Sequence, residues 1–190
     1  MLIFGKNIMS KKIFISSVMA ISTMVIGANY LVSKPVNAVE LLDGQKAFES
    51  GLRLTRAAAT FNNRNSSSAK YQFTIEVPED AGEALKSVKI TQKENSDTVV
   101  FKADKSKASL GNSLAGDNIP LAAVGGESQP GETTVVFDTP VEPGNTVTIS
   151  VKPKQNPSVD GVYLFGVTAY PTGENSPGLY LGSGRIHITE

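Results

Sequence analysis

The sequence contains no cysteine and no tryptophan, and His187 is its single histidine. Without cysteine there is no disulfide, thiol nucleophile, iron–sulfur cluster or cysteine-based zinc site. A lipid-anchored bacterial export signal, which needs a cysteine at its cleavage point, is excluded as well. With one imidazole available, any metal would have to rely on carboxylates and carbonyls, which suits calcium better than zinc. No Asp-x-Asp-x-Asp calcium loop occurs, however. A nucleophilic triad would have to be built on His187, and no Gly-x-Ser-x-Gly elbow presents a serine to it. Ser67 and Lys70 have the Ser-x-x-Lys spacing of penicillin-interacting enzymes, but neither Ser-Asp-Asn nor Lys-Thr-Gly follows them. Gly178, Gly182 and Gly184 lack the strand-turn-helix context that lets a glycine loop cradle a dinucleotide. The residues therefore point to no catalytic group, no metal ligand and no cofactor.

Charge of one sign is scarce only in places. Eighteen basic and eighteen acidic side chains balance over the 190 residues. Residues 1–38 hold Lys6, Lys11, Lys12 and Lys34 and no acid, so the remainder carries fourteen bases against eighteen acids, a net of about −4. A mildly acidic domain gains nothing from neutralising phosphates, so nucleic acid is not an expected partner.

One long apolar run exists. Lys11 and Lys12 precede the uncharged stretch Ile13 to Ile26, and Val36-Asn37-Ala38 offers what a signal peptidase reads. We read residues 1–38 as an export signal with a helical apolar region, cleaved after Ala38. Ile13 to Val32 could just span a bilayer, but Ser16, Ser17, Ser22, Thr23 and Asn29 make it a poor anchor. Counted from Met1 the leader is long, and translation from Met9 would bring it into the usual range. Cleavage leaves 39–190 as a single exported domain, with no membrane attachment of its own. It is large enough to bury roughly 70% of its unfolded surface without disulfides.

In that domain no long helical pattern appears, and alternation of period two dominates. Val39 to Gly51 is indistinct, and Leu52 to Phe61 suits a strand or, through Ala57 to Ala59, a helix. Tyr71, Phe73, Ile75 and Val77 alternate with Gln72, Thr74 and Glu76, the mark of a strand with one wet face. Pro78 to Glu83 stops it and suits one helical turn, with Glu79, Asp80 and Glu83 placed as the start of a helix wants them. Lys86 to Gln92 and Thr98 to Lys102 read as two strands joined through a hairpin-like turn at Glu94 to Asp97. Thr133 to Asp138 is a further strand. Val147, Ile149 and Val151 then alternate with Thr146, Thr148 and Ser150. Val162 to Tyr170 is apolar on both faces and is expected to be a central strand covered on both sides. Leu179 to Ile188 closes the chain, with a bulge at Gly182-Ser183-Gly184. Seven or eight short strands separated by turn residues predict an all-β fold, an antiparallel immunoglobulin-like β-sandwich.

Residues 104–132 break the rhythm, with only Ile119 to Val124 strand-like. So long a stretch is either a crossover holding one short edge strand at Pro120 or a functional segment. Among aromatics, Tyr163 and Phe165 belong to the core, while Tyr170 and Tyr180, flanking the loop Pro171 to Gly178, are the candidates for a ligand surface. His187 should point away from the face of Ile186 and Ile188.

Four blocks carry a further signal: Tyr71 to Gln92, Val135 to Pro157, Gly161 to Gly173 and Gly178 to Ile188. Together they resemble the secreted cyanobacterial proteins grouped as domain of unknown function 2808. The resemblance implies an exported protein, in the periplasm, outer envelope or medium, and implies no activity or site residue. Two functions stay open. The first is a non-catalytic envelope or extracellular module acting through its surface or a strand edge on an unknown envelope or extracellular component. The second is a secreted hydrolase or a glycan- or calcium-binding protein, with its site in 104–132 or in the 170–180 loop.

Overall fold

The computed structural model describes the backbone of residues 39–40 and the whole of residues 45–122 and 129–190. The leader and its cleavage point after Ala38 lie outside the described residues. Every regular element described is a strand: β1 (Val39–Glu40), β2 (Lys46–Ala47), β3 (Arg53–Ala59), β4 (Tyr71–Glu76), β5 (Leu85–Gln92), β6 (Phe101–Leu110), β7 (Asn118–Ile119), β8 (Glu132–Val141), β9 (Thr146–Pro153), β10 (Gly161–Pro171) and β11 (Leu179–Ile188). β1 and β2 form a short ribbon. The rest make a five-stranded sheet, β3-β4-β9-β6-β7, and a four-stranded sheet, β11-β10-β5-β8. All the pairings between these strands are antiparallel. The all-β sandwich expected from the alternation is what forms. It has more strands than the pattern suggested, because two-residue strands such as β7 are too short to carry a period.

Alternation decides what each sheet buries. Tyr71, Phe73 and Ile75 of β4 face inward beside Val147, Ile149 and Val151 of β9, all buried. Val88 and Ile90 of β5, Val135 and Phe137 of β8, and Tyr163, Phe165 and Val167 of β10 meet them from the opposite sheet. Phe165 is the hub. Its ring centroid lies 5.4 Å from Tyr71, 6.2 Å from Phe73 and 6.1 Å from Phe101, in tilted and edge-on arrangements that suit aromatic quadrupoles. At one end the Tyr71 hydroxyl donates to Asn156 Oδ1 (2.9 Å), while Asn156 Nδ2 donates to the carbonyls of Phe61 and Asn63. The fully buried amide thus has its bonds met, and it ties the loop after β3 to the loop after β9. Burial raises the Tyr71 phenol well above its ordinary value.

Where β3 passes over β11, Gly184 allows the approach. A Cβ on it would sit 2.4 Å from the Ala57 Cβ. The expected bulge is present too: pairing between β10 and β11 shifts after Val167, opposite Gly182, whose φ of +106° suits glycine.

Four expectations are corrected. Glu94 to Asp97 does not close a hairpin, because β5 and β6 lie in different sheets and the chain crosses between them. Asp97 Oδ2 accepts hydrogen bonds from the Ser158 amide (2.7 Å) and hydroxyl (2.9 Å), which hold that crossing in place. Pro78 to Glu83 makes a turn rather than a helical one, with the Ala81 amide donating to the Pro78 carbonyl. β10 is central but not covered on both faces: Val162 and Leu164 are 36% and 37% exposed, and Val162 is no core residue. Finally, β6 runs on to Leu110 and β7 follows at Asn118–Ile119, so residues 104–122 are far from structureless, while the end of the expected strand Ile119 to Val124 lies outside the described residues.

Candidate functional site

An opening lies where the edges of the two sheets part. β7 pairs with β6 through Ala108↔Ile119 and Ser109↔Asn118. Beyond Pro120 the same segment turns to the other sheet, with Leu121 bridging Phe137 and the Ala122 amide donating to the Val136 carbonyl (2.9 Å). Asn118 to Ala122 is therefore a wedge between β6 and β8, antiparallel to both. Past the wedge a groove of about 900 Å³ continues between the two edges. Val100, Phe101 and Val135 give it apolar lining, and Lys102, Lys107 and Lys154 give it cations.

The register fixes which backbone groups face this groove. Ile90↔Thr133 and Val88↔Val135 are the hydrogen-bonded pairs between β5 and β8, consistent with the Gln92 amide bonding the Gly131 carbonyl. The N–H and C=O of Thr134 then point away from β5, towards the groove, while Val136 stands opposite Ala122, whose amide its carbonyl already accepts. Across it, β6 leaves the β9 ladder between Lys102 and Lys107, so residues 103–106 bulge at the sheet edge. Asp104 and Ser106 of the 104–132 stretch line the groove, together with Asn118 to Ala122.

The sequence candidates fall elsewhere. Tyr170 and Tyr180 share the outer face of the four-stranded sheet, on neighbouring strands, with Tyr180 opposite Thr168. Tyr180 is 53% exposed, the Lys93 ammonium lies 5.2 Å from its ring centroid, and its hydroxyl bonds Ser183. Tyr170 is half-buried, against Gly178. The loop between them is tied down: Ser176 Oγ accepts from the Lys46 amide (3.0 Å) and donates to the Thr172 carbonyl (3.1 Å). Of the acids behind Pro78, Glu83 is buried, pairs with Lys46 Nζ at 3.1 Å and accepts from the Thr172 hydroxyl, while Asp80 accepts from Ser50. These carboxylates serve to pin β2 to the sandwich. Among the described residues no three acids or histidines gather as a metal site. His187 is exposed on the outer face, opposite Val162 and away from Ile186 and Ile188.

The lysines of the groove were missed at the level of sequence. Lys105-x-Lys107 and Lys152-x-Lys154 each have the spacing of one strand face, but Lys102 is out of step with the first pair, and only the pairing of β6 with β9 across its bulge brings these lysines near one another.

No curated protein matches the chain. Among solved structures it is similar to the collagen-binding domain from a Staphylococcus aureus adhesin, at 8% identity and a TM-score of 0.34, over 63% of this chain and 87% of that one. A family model described as protein of unknown function (DUF2808) matches residues 45–188. The chain, matched along most of its length, belongs to the DUF2808 family.

Proposed function

We propose that this protein is an exported, non-catalytic module of the cell envelope or extracellular space that binds a partner by taking up an extended segment at a strand edge. The observation that carries the reading is the groove between β6 and β8, where the backbone groups of Thr134 face away from β5 beside an apolar floor. Unpaired edge N–H and C=O groups recognise an added strand through main-chain bonds, and alternate side-chain pockets select it. The apolar run before Val36-Asn37-Ala38 supports export, and a cyanobacterial envelope is the setting the four sequence blocks suggest. Selection of short random peptides on the mature domain tests the reading. Binders should compete with one another and lose affinity for Thr134→Pro, which removes one groove-facing N–H. Binders indifferent to that change, on a domain that still folds, would contradict it.

A second reading has one observation in its favour. Tyr180, Leu164 and Val162 form an exposed apolar strip on the outer sheet face, suited to stacking a sugar. Loss of binding to a glycan array on Tyr180→Ala, with Thr134→Pro unaffected, would favour it instead.

A further inference from the structure

On the stacking reading of the outer sheet face, and independently of strand addition at β8, we propose that the face around Tyr180 binds an anionic polysaccharide: a β-linked chain of sugar acids laid along β10. Three exposed apolar side chains stand in a line there. Val162, Leu164 and Gly166 occupy successive outward positions of β10, and the Tyr180 ring of β11 lies against Gly166. A Cβ on Gly166 would come within 3.2 Å of both Tyr180 Cε2 and Lys93 Cε, so glycine leaves the room that these two side chains take across the strand. The Tyr180 hydroxyl bonds Ser183 Oγ at 2.8 Å, and the Lys93 ammonium sits 5.2 Å from the ring centroid. The ring is thus held before any ligand arrives, which lowers the ordering cost of binding. Outward residues of one strand stand about 6.6 Å apart, so the strip from Val162 to the ring over Gly166 runs about 13 Å, the length of a short oligosaccharide.

Charge selects the class of sugar. Lys93 and Arg185, both exposed, flank Leu164. On one side the Lys93 amide donates to the Leu164 carbonyl (2.8 Å), and on the other Arg185 stands opposite Leu164 in the ladder. With neighbouring strands about 4.8 Å apart, the backbones of the two cations stand about 10 Å apart across β10. Glu132, an acid of the same sheet face, is held by Lys89 at 2.7 Å. In an extended β-1,4-linked chain each ring is turned over relative to the one before, so carboxylates on consecutive sugars point to opposite flanks. A polyuronate along β10 therefore sets its C–H faces on Leu164 and the Tyr180 ring, and its carboxylates alternately towards Lys93 and Arg185. β10 is paired on both sides, so a peptide laid along it finds no main-chain groups to bond. That favours a polysaccharide.

The test uses the mature domain with β-1,4-linked oligomers of mannuronate and of mannose, which differ only in the carboxylate at C6. The mannuronate oligomer should bind about fivefold tighter at low salt, as expected from two exposed ion pairs. That advantage should disappear at high salt and in the variant Lys93→Met/Arg185→Gln, which keeps an apolar stem over Gly166 and should bind the mannose oligomer as before. Tyr180→Ala should weaken both oligomers about tenfold, and Thr134→Pro should change neither. If Tyr180→Ala does not fold, shifts of the Val162 and Leu164 methyl resonances on adding oligomer to the wild-type domain take its place. Equal affinity for the two oligomers would overturn the anionic class while leaving sugar stacking standing. Binding without any effect at Tyr180, Val162 or Leu164 would overturn the outer face as the site. Failure of both oligomers to bind would overturn the anionic class and the stacking reading together. Binding to phosphatidylglycerol vesicles that Tyr180→Ala abolishes, with neither oligomer competing, would overturn the polysaccharide as the occupant.

Discussion

Phe165 shows how much one side chain decides. It is fully buried on the central strand of one sheet and touches three rings of the other, so it joins the two layers at their middle. Phe165→Ala should cost about 3–5 kcal/mol, a large share of a domain's stability. A thermal melt moved by only a degree or two would show that the two sheets do not meet there. Asp97 makes a different kind of contribution. The Ser158 amide and hydroxyl both donate to its carboxylate, and they hold it below its ordinary value of 3.8. A depressed carboxyl contributes stability that is present above the unfolded value and lost as pH falls through the folded one. Melting temperature should therefore drop below about pH 4, and Asp97→Asn should flatten that part of the curve while lowering stability at neutral pH. An acid limb unchanged in the variant would place the titrating group elsewhere.

At the scale of elements, register decides which backbone groups of β8 face the groove. Thr134 and Val135 are neighbours, but their backbone groups face opposite ways, one into the groove and one into the β5 ladder. Val135→Pro should remove a ladder bond and destabilise by about 3 kcal/mol or more, whereas Thr134→Pro should cost much less. Urea melts of the pair measure the difference directly, and equal losses would mean the register is shifted by one residue. Much of this level was legible in the sequence. The strict alternation of Tyr71 to Val77 and of Thr146 to Val151 puts those strands where they form, although the middle of the polar face, Thr74, Thr148 and Ser150, is buried and not wet. The sequence pattern ends at Lys102, short of the end of β6, because Lys, Ala, Asp and Ser fill the strand's middle, residues that strands disfavour unless pairing supplies the reason. The hairpin expected at Glu94 to Asp97 failed because a polar turn between two strands looks the same whether the chain folds back or crosses to the other sheet. Val162 and Leu164 misled in the opposite sense, since an apolar residue on a wet face cannot be told from a buried one by type alone.

For the whole molecule, the candidate site was the least legible part, and the reason is topological. A groove between β6 and β8 exists because these two strands end up as facing edges of different sheets, which no local pattern records. Tyr170 and Tyr180 were sought by residue type, and they lie on the outer face of the four-stranded sheet, away from that groove. Export belongs to this scale as well. Cleavage after Ala38 predicts an exported protein beginning at Val39, and intact mass of the secreted form checks it. A secreted species still carrying Ile13 to Ile26 would make the chain membrane-anchored instead. On the proposed function, a partner segment adds to the edge of β8 at Thr134. Amide hydrogen exchange of the domain, free and saturated with a selected peptide, tests it most directly. Slowed exchange is expected at Thr134, with the outer face around Tyr180 unchanged. Protection centred on Leu164 and Tyr180, with Thr134 exchanging as in the free domain, would contradict it.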